Sequence, residues 1–437
     1  MGSKPFIFGE CATEVRDKVQ PEEANGARYI GLEHIEQGTL HLNGYGSAND
    51  VSSTKSKFSK GDILFGKLRP YFRKVVRAPF DGVCSTDIWV VRSTNGIDQG
   101  FLYYWMASQE FVDFSMQGSE GTKMPRAKWN HVSKHQSPFF SEEEQKAIAH
   151  ILGSLDDKIE LNRRMNKTLE AMAQALFKSW FVDFDPVIDN ALAAGNEIPE
   201  ELKERAEIRE ALGDARKPLP EDSQNLFPSE FEHTEEMGWI PKGWEVSTVG
   251  EEFDVTMGQS PPGSTYNETG EGIPFFQGRA DFGFRYPSER VYCTAPKRFA
   301  EQNDTLVSVR APVGDVNMAL EKYCIGRGVG AVRHKSFSRS YTYYSMLQLR
   351  EHFNAFEAEG TVFGSISQKD FKALKWLSFD KSLIKNYEYF AGQFDEKIEG
   401  CYRNILILTT TRDTLLPKLL SGEIRIPEAD KLVEGLA

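Results

Sequence analysis

The sequence predicts an α+β fold. Two mixed α/β globular domains are each followed by a long helix, and the two helices pair as an antiparallel coiled coil with pseudo-twofold symmetry. Three observations lead there. An apolar seam with heptad spacing runs through residues 141–183, the same pattern returns 239 residues later, and short β-rich runs precede each copy.

The seam opens on Ser141-Glu142-Glu143-Glu144, a Ser-x-x-Glu capping box that satisfies free amides at a helix start. Apolar residues follow at Ile148, Leu152, Leu155 and Ile159, then at Leu169, Ala173, Leu176 and Trp180, with Asn162 and Asn166 at the two positions between. Steps alternating between 4 and 3 residues make a stripe that requires a partner helix. Asp156-Asp157-Lys158-Ile159-Glu160 reappears as Asp395-Glu396-Lys397-Ile398-Glu399, and Phe394, Ile398, Leu408 and Leu415 take the corresponding seam positions. Glu120-Gly121-Thr122 and Glu359-Gly360-Thr361 extend the repeat backwards. A homodimeric coil is the alternative for any single heptad run; the internal copy favours pairing within the chain.

The expected boundaries are 1–140 for the first domain, 141–184 for the first helix, and 185–238 for an acidic connector. The second domain is expected at 239–380, and the second helix with its tail at 381–437. Strands are expected at 27–32, 61–66 and 87–92, and again at 273–276, 305–309 and 328–332. Gly100 to Gln117 and Tyr341 to Leu349 have helical spacing, with Phe101, Trp105 and Met106 in the core. The connector carries one expected helix, Pro199–Leu212, in a well-solvated segment. Pro417 is expected to end or kink the second long helix near Leu416.

A length of 437 residues allows two to four domains. Five scattered cysteines without a CxxC pair point to a reduced, cytoplasmic protein lacking a structural zinc site. No apolar run of about 18 residues exists, so no membrane span is expected. The net charge of −12 is unevenly placed: residues 185–236 hold fifteen acids and five bases, leaving the rest of the chain near neutrality. Net charge therefore does not exclude a nucleic-acid partner.

Candidate DNA contacts gather in two places in the first domain. Lys57, Lys60, Lys67, Arg69, Arg73, Lys74 and Arg77 fall within twenty-one residues that contain one acid, Asp62, with Phe65, Tyr71 and Phe72 interleaved. Bases neutralise phosphate, arginine forks read guanine edges, and rings pack on sugar or base; a solvated hairpin face is the bland alternative. Lys123, Arg126 and Lys128 sit in a Gly-hinged loop just ahead of the first helix. The second domain offers Arg279, Arg285, Arg290, Lys297, Arg298 and Arg310, and a polar loop with Gln259, Ser260 and Thr265 suited to base-edge hydrogen bonds. That loop reads equally well as ordinary surface.

Gly61 to Leu68 nearly spells a phosphate-binding loop, but Leu68 stands where Ser or Thr must reach Mg²⁺. His131 and His135 are four apart without a third ligand nearby. No Asn/Asp-Pro-Pro-aromatic run marks an amino-methyltransferase, and no Ser-His-Asp or Cys-His arrangement stands out. The expectation is a recognition protein with no catalytic residues, no bound cofactor and no metal.

The two domains share landmarks: Gly9-Glu10 with Gly250-Glu251, Arg69-Pro70 with Arg310-Ala311-Pro312, Cys84 with Cys324, and Val91-Arg92 with Val332-Arg333. These join Gly61-Asp62-Ile63-Leu64-Phe65, Lys67-Leu68-Arg69-Pro70-Tyr71, Glu143-Glu144-Gln145-Lys146-Ala147-Ile148, Ile240-Pro241-Lys242-Gly243-Trp244 and Leu416-Pro417-Lys418-Leu419-Leu420-Ser421-Gly422. In this order, and repeated, they resemble the DNA-specificity subunit of type I restriction-modification systems over nearly the whole chain. The second domain departs from the pattern in keeping only Arg310-Ala311-Pro312 of the Lys-x-Arg-Pro-Tyr run. The resemblance implies that each domain reads one half of a split, asymmetric double-stranded DNA site and that the helices measure the unread spacer. It also implies two methylation subunits and nuclease/translocase subunits as partners, which carry the adenine methylation, S-adenosylmethionine, Mg²⁺ and ATP. The rival from another class is a coiled-coil scaffold whose two globular heads bind proteins.

Overall fold

The computed structural model describes residues 4–24, 26–121, 123–213, 218–353 and 364–435. They divide into two compact units, Met1–Met165 with Gly400–Ala437, and Asn166–Glu399. Thr122, Glu359-Gly360-Thr361, Arg216 and Lys217 lie outside the described residues.

Among the described residues, the globular part of the first unit has two larger sheets and a two-stranded one, Phe6–Ile7 against Gln136–Ser137. The strands Ala12–Glu14, Ile88–Ser93, Ile63–Gly66 and Val75–Arg77 lie in that order and are antiparallel throughout. Ile63–Gly66 is buried along its length, as expected of a strand covered on both faces. The second sheet runs Lys18–Val19, Lys55–Phe58, Gly82–Cys84, Arg28–Ile30 and Gly46–Ser47, with one parallel pair, Tyr29–Ile30 against Val83–Cys84. The aromatic stretch forms two helices, Gln99–Ala107 and Gln109–Gln117. Ser108 divides them. It takes extended backbone angles, and its hydroxyl accepts from the Phe111 amide at 3.2 Å, so it acts as the N-cap of the second helix. Phe101, Trp105 and Met106 are buried in the core.

The second unit repeats this plan. Phe253–Met257, Val329–His334, Thr305–Ser308 and Val316–Met318 form the four-stranded antiparallel sheet. Its five-stranded sheet again has one parallel pair, Phe275–Phe276 against Cys324–Ile325. Cys84 and Cys324 are therefore equivalent, each buried on the strand that makes its sheet's parallel pairing. The Gly9 and Gly250 landmarks have a common packing cause. A Cβ on Gly9 would lie 2.8 Å from Ser133 Cβ, and one on Gly250 2.9 Å from Lys372 Cβ.

The first long helix, Glu142–Phe181, begins with the capping box formed. The Ser141 amide donates to Glu144 Oε2 at 2.7 Å, and the Glu144 amide donates to Ser141 Oγ at 3.3 Å. The second spans Lys381–Ser421. Pairing is antiparallel within each unit. In the first unit Asp156 meets Arg412 and Met165 meets Cys401; in the second, Trp180 packs on Tyr387 and Phe390. Ile148, Leu152, Leu155, Ile159, Ile398, Leu408 and Leu415 are buried on the seam. Leu169, Leu176 and Phe394 are only half-buried, while Ala173, Phe177, Trp180 and Phe181 are buried. The stripe is broader than a two-residue seam there because Phe177 and Phe181 also pack on Tyr341 of the globular part.

Two further expectations are corrected. Of the two outcomes expected at Pro417, an end or a kink, the end does not occur: the second helix continues to Ser421 with the proline inside it. An interior proline costs about 3 kcal/mol, but Leu415, Leu416, Leu419 and Leu420 are all buried around it, each contributing about 1.5–3 kcal/mol. The acidic segment after the first helix is packed, and its described residues include the helices Asp185–Ala194, Glu200–Ala211 and Glu221–Gln224. Arg205 grips Asp185 with two bonds of 2.7 Å, Arg209 grips Asp189, and Val187, Ile188 and Ala191 are buried. Among the described residues, no helix is long and apolar enough to cross a membrane.

Candidate nucleic-acid interface

The strand Ile63–Gly66 delivers Lys67 into a tight turn. The Lys67 amide donates to Asp87 O at 2.9 Å, and its carbonyl accepts from the Ala127 amide at 2.9 Å. The Arg69 amide donates to Pro125 O at 2.7 Å, and Leu68 bridges Arg126. The Lys67–Arg69 turn and the Lys123–Lys128 loop, separate in sequence, are thus one stitched surface element. Arg69 and Arg73 both take left-handed backbone angles, φ 51° and 47°, a strain of about 1–2 kcal/mol each for a side chain bearing a Cβ. The Phe72 amide bonded to Arg69 O and the Arg73 amide bonded to Pro70 O hold the turn closed.

The predicted bases now divide by role. Lys57, Lys60, Arg77, Lys123, Arg126 and Lys128 are exposed, and Tyr71 is 47% exposed. Arg126 reaches Asp87 at 3.1 and 3.3 Å, and Lys128 pairs with Glu120. Exposed pairs of this kind are worth under about 1 kcal/mol, so either base is able to exchange its carboxylate for a phosphate. Arg73 and Lys74 are occupied with the scaffold. The Arg73 guanidinium donates to Gly38 O and to Asp413 at 3.4 Å, and the Lys74 ammonium donates to Leu32 O at 2.6 Å. Burial holds the Lys74 pKa below the usual lysine range. Lys67 and Arg69 are half-buried at the turn, and Arg69 Nε is buried without a hydrogen-bond partner. A cleft of about 800 Å³ beside Lys60 and Arg77 is also lined by Asp156, Asp157 and Glu160. Its mixed charge makes it a poorer phosphate track than the stitched loops.

In the second unit the equivalent junction is present with different side chains. The Val309 amide donates to Gly328 O at 3.0 Å, Arg310 bridges Ser365, and the Ala311 amide donates to Gly364 O at 2.8 Å. Arg310 and Arg298 are exposed, Gln259 is exposed, and Ser260 and Thr265 are half-buried. Ser260 Oγ donates to Gln277 Oε1 at 2.9 Å and accepts from the Arg327 amide at 3.2 Å. Gln277 and the exposed Arg327 therefore belong to this cluster, although sequence reasoning missed them. The spacing Gly326-Arg327-Gly328 was the available signal. A Cβ on Gly328 would lie 2.5 Å from Gln277 O and one on Gly326 2.9 Å from Gln277 Cα, so the two backbones pack directly on each other. Arg279 pairs with Asp315, which Arg350 also reaches at 2.9 Å.

Arg285 is not a surface base. It is wholly buried, its guanidinium 3.5 Å from the Tyr343 ring centroid, donating to Glu170 at 2.9 Å and to Asp395. Burial opposes its charge, but Asp395, Tyr343, Tyr344 and Glu170 outweigh it and raise its pKa further. His131 and His135 are likewise engaged in packing. His131 stacks on Phe114, and His135 Nδ1 accepts from Trp105 Nε1 at 3.0 Å.

The description "Type I restriction modification DNA specificity domain" matches residues 13–171 and 241–375. The chain is 26% identical over 412 residues to the HindI type I restriction enzyme specificity subunit of Haemophilus influenzae, covering 85% of this chain and 88% of that one. It is 36% identical over 208 residues to a Methanocaldococcus jannaschii chain described as a type I restriction enzyme MjaX specificity subunit. That match spans 45% of this chain and about half, 48%, of the relative. Among solved structures, the S subunit of a type I restriction-modification system from M. genitalium aligns over 95% of this chain and 96% of its own, with a TM-score of 0.55 and 16% identity.

Proposed function

Because the chain belongs to the type I restriction-modification DNA-specificity family, we propose that it is the DNA-reading subunit of such a complex. Each globular domain reads one half of a bipartite, asymmetric site, and partner subunits act on the bound DNA. One observation carries the two-reader reading. The junction stitched by Lys67–Arg69 to Pro125–Ala127 in one domain, and by Val309–Ala311 to Gly364–Ile366 in the other, has the same backbone connections and different side chains. Identical frames holding different donors are what two readers of different base sequences require. Backbone phosphates take the exposed Lys57, Lys60, Arg77, Lys123, Arg126 and Lys128; Tyr71, Gln259, Ser260, Gln277, Arg310 and Arg327 lie where base edges are read.

Two methylation subunits and the nuclease/translocase subunits are the proposed partners. Adenine methylation and cleavage belong to them, and the chain itself works in the cytoplasm without a cofactor. The test is co-expression with the cognate methylation subunit in a host free of adenine methylation, followed by mapping of N6-methyladenine. A single split motif with a fixed spacer supports the reading; a soluble complex that leaves DNA unmethylated overturns it. Exchanging residues 1–140 for another such domain should change one half-site only.

A further inference from the structure

Asp156 and Asp395, the first residues of the matching runs Asp-Asp-Lys-Ile-Glu and Asp-Glu-Lys-Ile-Glu, do the same work through different arginines. On Asp156, Tyr104 Oη donates to one carboxylate oxygen at 2.7 Å and Arg412 Nη1 to the other at 2.7 Å. Arg412 comes from the second long helix and also donates to Thr39 O at 3.1 Å in the globular part. On Asp395 the arginine comes from the opposite direction. Arg285 leaves the globular domain, passes over Tyr343, and reaches Asp395 on the second helix and Glu170 on the first. Arg285 Nη1 lies 3.4 Å from the hydroxyl of Tyr344, which stands in the second domain where Tyr104 stands in the first. In each unit one buried guanidinium therefore joins both long helices and the globular domain.

We infer that the Arg285–Glu170–Asp395 cluster is a positioning latch that fixes the second domain's orientation on the paired helices, and with it the DNA spacing the protein accepts. This rests on the DNA-reading function proposed above. Apolar helix faces slide against one another by a turn with little penalty, because one ridge fits the next groove. A buried guanidinium between two carboxylates does not, because a slip leaves buried charges unpaired. Buried ion pairs are weak contributors to net stability and are best attested as devices that fix register. The guanidinium fork is planar and directional, which suits it to set an angle. That both units place a buried arginine on the equivalent aspartate, from different segments, points to a shared geometric requirement and not to an inherited side chain.

The test compares the wild type with two variants, each as the full chain with its methylation subunits. The neutral triple variant Glu170→Gln, Arg285→Met, Asp395→Asn removes every charge together; Arg285→Lys keeps the charge but loses the fork. Spin labels on cysteines introduced at the exposed Ser264 and Lys397 report orientation without DNA, since the native cysteines are buried. Both variants should fold, broaden the label distance distribution, and lose at least tenfold of the discrimination between the native spacer and one longer or shorter by a base pair. Base preference in the half-sites should be unchanged. A narrow, unshifted distance with intact spacer discrimination in either folded variant overturns the latch. If the wild-type complex methylates no split site, the DNA-reading proposal falls, while the label distances still decide whether the cluster fixes the domain.

Discussion

Asp156 and Arg412 meet at 2.7 Å, with the arginine 1% exposed and a tyrosine hydroxyl on the other carboxylate oxygen. Removing one partner strands the other. Arg412→Met should destabilise the first unit by about 3 kcal/mol, the low end for a buried pair because Asp156 keeps some solvent contact. Adding Asp156→Asn should restore part of that loss. Urea melts of the four chains in a double-mutant cycle check it; additive losses would mean that the pair is not coupled.

Gly258 sits where a Cβ would meet Gly326 O at 2.2 Å and Val329 O at 2.7 Å, both backbone atoms. Gly258→Ala should cost about 1–3 kcal/mol as overpacking. It should also displace Gln259 and Ser260 from Gln277 and Arg327, so that methylation mapping shows degraded reading of the second half-site with the first intact.

Charge removal should separate phosphate contacts from scaffold bases. Lys57→Ala, Lys60→Ala and Arg77→Ala should each lower DNA affinity uniformly across sequences and reduce the slope of log K against log salt by about one. Lys74→Ala should leave that slope unchanged, since its ammonium is already bonded to Leu32 O. Fluorescence anisotropy across a salt series is the measurement.

Burial pushes the His135 pKa down to about 4, where Trp105 donates to its Nδ1. In the unfolded chain it titrates near 6.5. Between these values the unfolded state binds the extra proton, so stability rises with pH through this window and is lost as pH falls from 6.5 towards 4. The loss amounts to up to about 3 kcal/mol. His135→Gln keeps an acceptor for Trp105 and should flatten that slope in pH-dependent melts; an unchanged acid slope would contradict the assignment.

The long helices and the duplication were legible because their signals are local or periodic: a capping box, a heptad step, a run repeated at a constant offset. The basic turn at Lys67–Arg73 was legible as a location. Which of its bases face solvent was not, because that depends on backbone carbonyls at Leu32 and Gly38 contributed from elsewhere in the chain. Arg285 was misplaced for the same reason: residue type says surface, while Glu170 and Asp395 lie more than a hundred positions away. The acidic segment read as solvated because Asp185 and Asp189 find Arg205 and Arg209 only once two helices pack side by side. Gln277 and Arg327 escaped notice because close backbone packing at Gly326 and Gly328, not a motif, brings them beside Ser260.

Both long helices contribute to both units, since the first unit ends the first helix at Met165 and resumes the second at Gly400. A chain of one repeat, with one domain and one helix, would own only half of the pairing it needs. Its sole source of the missing half would be a second copy, laid antiparallel. A one-repeat chain is therefore expected to associate with a second copy of itself through its helix.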